Sequence, residues 1–140
     1  MANMVGDWIL VPELTTGHDE FSKAMGMSDA EREATRNLVY TFHLSRDGDE
    51  WYMKVVTETG VVFVDTKFRM DVPFTYSDLD KTATLTSLIS LRNDHFIEKM
   101  TQDKNGVVMH WDVDTYRDGD FVITAQTKDG ATETQRLRKR

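Results

Sequence analysis

The sequence predicts an all-β fold, a small up-and-down antiparallel barrel with a helical lid. Three observations carry this. The only helix-like stretch follows one strand-like segment and precedes a long series of hairpins. Turn signals recur every 10–14 residues or so from there to the C-terminus, a spacing that fits barrel strands and leaves no room for crossover helices. At 140 residues the chain is long enough for one domain with its own core. A closed barrel of this size has an interior that side chains fill or that holds one small ligand.

Each element follows from local chemistry. Gly6-Asp7-Trp8-Ile9-Leu10-Val11 reads as a first strand stopped by Pro12. Thr16 opens a Thr-x-x-Asp cap, Ser28-Asp29-Ala30-Glu31 is a Ser-x-x-Glu capping box, and Gly26 between them suits a left-handed helix end. These signals predict two short helices over 17–25 and 29–36. From Leu38 the apolar period becomes two, with Leu38, Tyr40, Phe42 and Leu44 on one face. Hairpin turns are expected at Asp47-Gly48, Thr59-Gly60, Asp71-Val72-Pro73, Asp78-Leu79-Asp80 and Arg92-Asn93-Asp94. Three more are expected at Asp103-Lys104-Asn105-Gly106, Asp118-Gly119 and Asp129-Gly130.

Composition excludes several functions. The formal net charge of -7 gives nucleic-acid binding no electrostatic basis, and the basic end Arg136-Leu137-Arg138-Lys139-Arg140 is too short to change that. The absence of cysteine removes disulfides and thiolate metal sites. His18, His43, His95 and His110 have no metal-ligand spacing, so no metal and no cofactor is expected. Asp112 and Asp114 on one strand lack the second partner that a paired-carboxylate hydrolase needs, and no serine sits in a Gly-x-Ser-x-Gly context. No apolar run approaches the roughly 18 residues that cross a bilayer. The expectation is a cytoplasmic, monomeric, non-catalytic protein.

Several segments, in this order, resemble the intracellular lipid-binding proteins, the fatty-acid-binding and cellular retinoid-binding group. Gly6-x-Trp8 is similar to that family's opening motif, and Asp19 through Gly26 to its first helix. Ser45 through Lys54, Lys67 through Phe74, and Asp118 through Thr124 resemble three of its hairpin and strand segments, and Arg32 falls at the basic position of its second helix. The closing Arg136-Leu137-Arg138 takes the place of the family's Arg-x-Tyr. The resemblance implies a ten-stranded, flattened barrel around a cavity, capped by the helix pair. It also implies a fatty acid, retinoid or similar amphiphile as ligand, with transient contact with anionic membranes during transfer.

A buried ligand carboxylate requires a fixed cation with matching donors, which arginine supplies as a planar fork. The departures from the family pattern therefore matter. Arg138 stands where a tyrosine is expected, and Asp114 stands where the family has a second arginine. His18 replaces an aromatic residue of the first helix, and Phe21 a tyrosine. The expectation taken forward is an inward anchor of Arg136, Arg138 and Asp114. A shift of one residue would instead turn Trp111 and Val113 inward, and Asp112 and Asp114 toward water. Further ligand contacts are expected from Phe21, Met25 and Arg32 on the helices, from Thr59 at a turn and from Met100 in the wall. Trp8 is expected to be core packing.

Overall fold

The computed structural model describes residues 3–78 and 81–140. Ten strands run in chain order. They are β1 (Gly6–Leu10), β2 (Tyr40–Asp47), β3 (Glu50–Thr57), β4 (Val62–Phe68), β5 (Phe74–Ser77), β6 (Ala83–Arg92), β7 (His95–Lys104), β8 (Val107–Asp118), β9 (Phe121–Lys128) and β10 (Ala131–Lys139). Two helices, α1 (His18–Ala24) and α2 (Asp29–Arg36), lie between β1 and β2. The strands form one antiparallel sheet in the order β4-β3-β2-β1-β10-β9-β8-β7-β6-β5. Consecutive strands pair except β4 with β5, and the first strand pairs with the last.

The turns are made by the expected residues. Asn93 and Asp94 (φ 50 and 66), Asn105 and Gly106 (φ 54 and 81), and Asp129 and Gly130 (φ 51 and 83) take the paired left-handed conformation that matches strand twist. Leu79 and Asp80 of the expected turn at 78–80 lie outside the described residues.

Two boundaries differ from expectation, and a third is as expected. The first strand ends at Leu10, because Pro12 opens a 3-10 turn, Pro12–Leu14. The Ser28 capping box forms as expected, with Ser28 Oγ accepting from Glu31 N and the Glu31 carboxylate accepting from Ser28 N. Thr16 does not cap α1. Its backbone is held by β10 through two bonds with Thr134, of 3.0 and 2.9 Å, so Gly17 becomes the N-cap. Gly17 has a φ of 76, and a Cβ there would lie 1.9 Å from the Thr132 carbonyl oxygen. Helix α1 sits this close to β10 only because residue 17 has no side chain.

The core fills one end of the barrel. Trp8, Leu10, Leu44, Trp51, Phe68, Ile89, Phe96, Val122 and Leu137 pack together there, with Trp8 wholly buried. Its indole Nε1 donates to the Met4 carbonyl at 2.8 Å, and the Arg117 guanidinium lies 5.0 Å from its ring centroid. The bland reading of Trp8 as core packing holds. No hydrogen-bonded ladder joins β4 to β5, and the seam is spanned by stacked rings. Phe68 and Phe74 are 5.3 Å apart and Phe74 and Tyr76 6.1 Å.

Two substitutions test this scheme by urea unfolding. Trp8→Ala should cost about 3–5 kcal/mol through the cavity it leaves. Gly17→Ala should cost about 2 kcal/mol or more, because a left-handed backbone and a fixed carbonyl both oppose the methyl. A neutral Gly17→Ala would show that α1 does not seat on β10 as described.

Candidate functional site

Beyond the packed core, the barrel encloses a cavity of about 460 Å³ beneath α1 and α2. Strand alternation decides what lines it. Tyr40 and Phe42 of β2, Met53 and Val55 of β3, Tyr76 of β5 and Leu85 of β6 form one wall. At β4 the register slips between Val55 and Val56, which pair with Val64 and Val62, so Phe63 and Val64 both reach the cavity. Phe21 of α1, Met25 at its C-cap and Met27 close the top. A second cleft of about 600 Å³, lined by Glu13, Asp19, Glu20 and Arg36 among others, lies outside the lid and is open and polar. The enclosed, mostly apolar interior is the candidate ligand site.

The opposite wall is polar in a defined pattern. Glu98 of β7 lies level with Val113 of β8, which lies level with Gln126 of β9, which lies level with Glu133 of β10. Next to this row, Thr115, Thr124 and Gln135 make a second one. Tyr40 donates across the cavity to Gln135 Oε1 at 2.6 Å. Ser87 donates to Glu98 Oε2. Burial pushes the Tyr40 and Tyr76 hydroxyls up, with the charges of Glu133 and Glu98 respectively adding to it. Burial likewise raises the Glu98 carboxyl, and the Ser87 bond opposes this only in part.

His18 joins the lid to this wall. Its Nδ1 lies 2.5 Å from Glu133 Oε2, and its Nε2 lies 3.1 Å from the Arg32 carbonyl oxygen. Both partners are acceptors, so satisfying both requires a proton on each ring nitrogen. Burial alone would lower the imidazole. The bonds to Glu133 and Arg32, with the Glu133 and Asp19 charges, outweigh it and hold His18 above its ordinary value. One imidazole thus ties α1, α2 and β10 together.

The expected anchor is not in the cavity. Leu10 pairs with Leu137 where β1 meets β10, and both are buried. This turns Glu133, Gln135 and Leu137 inward and Arg136 and Arg138 outward. Arg136 is 3.7 Å from Asp118, and Arg138 is exposed. On β8, Trp111, Val113 and Thr115 face in, and Asp114 faces out, where His95 Nδ1 meets it at 2.8 Å. The one-residue shift is therefore the register found, without a bulge in β8. Arg32 does not line the cavity either. It pairs with Asp29 and donates to the Met27 carbonyl at 3.1 Å. Thr59 is exposed at the β3–β4 turn. Phe21, Met25 and Met100 do line the cavity.

Sequence reasoning missed Glu98, Gln126, Glu133 and Gln135. A signal for the last two was present, since Leu137 is the only aliphatic residue between Thr132 and Arg140 and its parity marks the inward face. Among the described residues, no group of three or more His, Cys, Asp or Glu could hold a metal ion. None of the described helices is long and apolar enough to cross a membrane.

No family model matches the sequence, and no curated protein matches it. Solved structures share its fold. Lipid binding protein 8 of Caenorhabditis elegans is 19% identical with a TM-score of 0.80, over 100% of this chain and 99% of that one. Fatty-acid-binding protein 1 of Echinococcus granulosus is 16% identical with a TM-score of 0.77, over 97% and 96%. Human cRBP IV is 17% identical with a TM-score of 0.75, over 100% of both chains. The fold is that of the fatty-acid-binding and retinoid-binding proteins, the fold that the motif resemblance implied.

The His18 bridge predicts a definite pH dependence. A histidine raised on folding stabilises fully below its unfolded value of about 6.5, and that stability is lost as pH rises through the folded value. Wild type should therefore lose stability relative to Glu133→Gln as pH rises above about 6.5 and through the raised folded value, in urea unfolding. The His18 ring should titrate above its ordinary value by NMR, and titration at or below it would contradict the bridge.

Proposed function

We propose that this protein is a non-catalytic carrier of a hydrophobic small molecule whose head group is not an anion. The observation that carries this is the charge content of the cavity wall. Among the described residues its lining includes Glu98, Glu133 and His18, and no lysine or arginine. The His18 ring is already engaged by Glu133. A ligand carboxylate placed there would be buried beside two acidic side chains without a partner, which costs several kcal/mol or forces its protonation. A hydroxyl or amide head instead matches the acceptors and donors of Gln126, Gln135, Thr115 and Thr124. The apolar wall holds the tail at about 25 cal/mol per Å² buried.

The fold supports a carrier, since relatives in shape include proteins named for binding fatty acids and retinoids. A cavity of about 460 Å³ argues against a barrel with a filled interior that serves only as an interaction surface. A less acidic amphiphile, such as a retinoid alcohol, thereby replaces the long-chain fatty acid that the motifs first implied. The carrier is proposed to act as a cytoplasmic monomer. Contact with an anionic membrane through Arg32 and Arg36 would first require both to leave their carboxylate partners, Asp29 for one and Asp19 and Glu33 for the other.

Paired ligands that differ only in the head test the proposal. Fluorescence titration should give saturable one-to-one binding of retinol, with retinoic acid at least about tenfold weaker at neutral pH. Tighter binding of retinoic acid would overturn the charge argument, and saturable binding of neither would overturn the carrier reading.

A further inference from the structure

Glu98 is placed unlike any other acid of the barrel. It lies on the inward face of β7, between Ile89 of β6 and Val113 of β8, both apolar. It is half-buried, and its remaining accessible surface belongs to the cavity that it lines. Among the described residues, its one hydrogen-bond partner is the Ser87 hydroxyl, at Oε2, which leaves Oε1 without a donor. No cation of the described residues is within ion-pair distance of it. Diagonal to it on the same inward face, Trp111 carries a buried indole Nε1 that also lacks a partner.

We propose that Glu98 is a head-group anchor for a cationic amphiphile, a primary amine with a single long hydrocarbon tail. This rests on the carrier reading and names its ligand class. A buried carboxylate without a counter-ion is costly, and a protonated amine supplies the missing charge and up to three donors. One donor would reach Oε1, and the tail would run along the wall of Phe42, Met53, Val55 and Leu85 toward the lid. The chain's net charge of -7 favours approach of a cation over an anion.

Binding is coupled to a proton. Burial raises the empty-site Glu98 carboxyl, whereas a bound ammonium favours its ionised form. The other titratable groups lining the same space are Tyr76 of β5, Tyr40 of β2, His18 of α1 and Glu133 of β10. Burial keeps both tyrosines protonated, and His18 and Glu133 are bonded to each other. Amine binding therefore drives off the Glu98 proton where the empty site is protonated. Affinity rises with pH up to the amine's own loss of charge, near the value of about 10.4 for a lysine amine.

The experiment compares dodecylamine with dodecanol, of equal tail length, by calorimetry on the whole chain. Wild type should bind the amine more tightly than the alcohol, with an advantage that grows as pH rises through the range in which the empty-site Glu98 carboxyl loses its proton. Repeating the titration in two buffers of different ionisation enthalpy should reveal proton release at the lower end of that range, a readout that needs no variant. Glu98→Gln should weaken the amine at least about tenfold more than it changes the alcohol. If the alcohol binds while the amine gains nothing and Glu98→Gln alters neither, the carrier reading stands and the anchor is overturned. If neither ligand binds wild type, both are overturned.

Discussion

The pairing of the first strand with the last is the constraint on which the rest of the structure depends. Leu10 opposite Leu137 closes the sheet between its termini. Because side chains alternate along a strand, that single pairing decides the face of every residue of β10. It puts Glu133 and Gln135 into the cavity and sends Arg136 and Arg138 to the surface. Through continuous ladders to β9 and β8 it also turns Gln126, Thr124, Val113 and Thr115 inward. A register one residue away would have turned Arg136 and Arg138 inward instead, together with Asp112 and Asp114.

Two physical regimes divide the interior. At the closed end, aromatic and aliphatic side chains fill the space around Trp8. Under the helices the packing opens, and polar side chains of β7 to β10 face an apolar wall from β2 to β6. The two carboxylates in this region are treated differently. Glu133 is bonded by His18, whose second nitrogen also meets the carbonyl of Arg32, so this contact fastens the lid. Glu98 has only a hydroxyl partner and, among the described residues, no counter-ion.

Much of the fold was legible in the sequence. Turn residues such as Asp129-Gly130 and Asn105-Gly106 require left-handed backbone, and the Ser28 capping box starts α2 where expected. The site was less legible for a definite reason. On β9, Val122 and Ile123 are both buried, although neighbours in a strand face opposite ways, so apolar content there does not mark the inside. Matching Arg136 to a family arginine then imposed the wrong parity, against the signals of Leu137 and of Trp111 and Val113. The Thr16 cap failed similarly, because long-range pairing with Thr134 outweighs a local preference. Glu98 could not be singled out by pattern, since its importance lies in the cation that is missing from its surroundings.

The central claim is that the cavity selects against an anionic head. Native mass spectrometry of the protein purified at neutral pH, followed by extraction and identification of any co-purified lipid, tests it most directly. The account predicts one bound molecule per chain with an amine, alcohol or amide head. Co-purification of a stoichiometric long-chain carboxylate would contradict it.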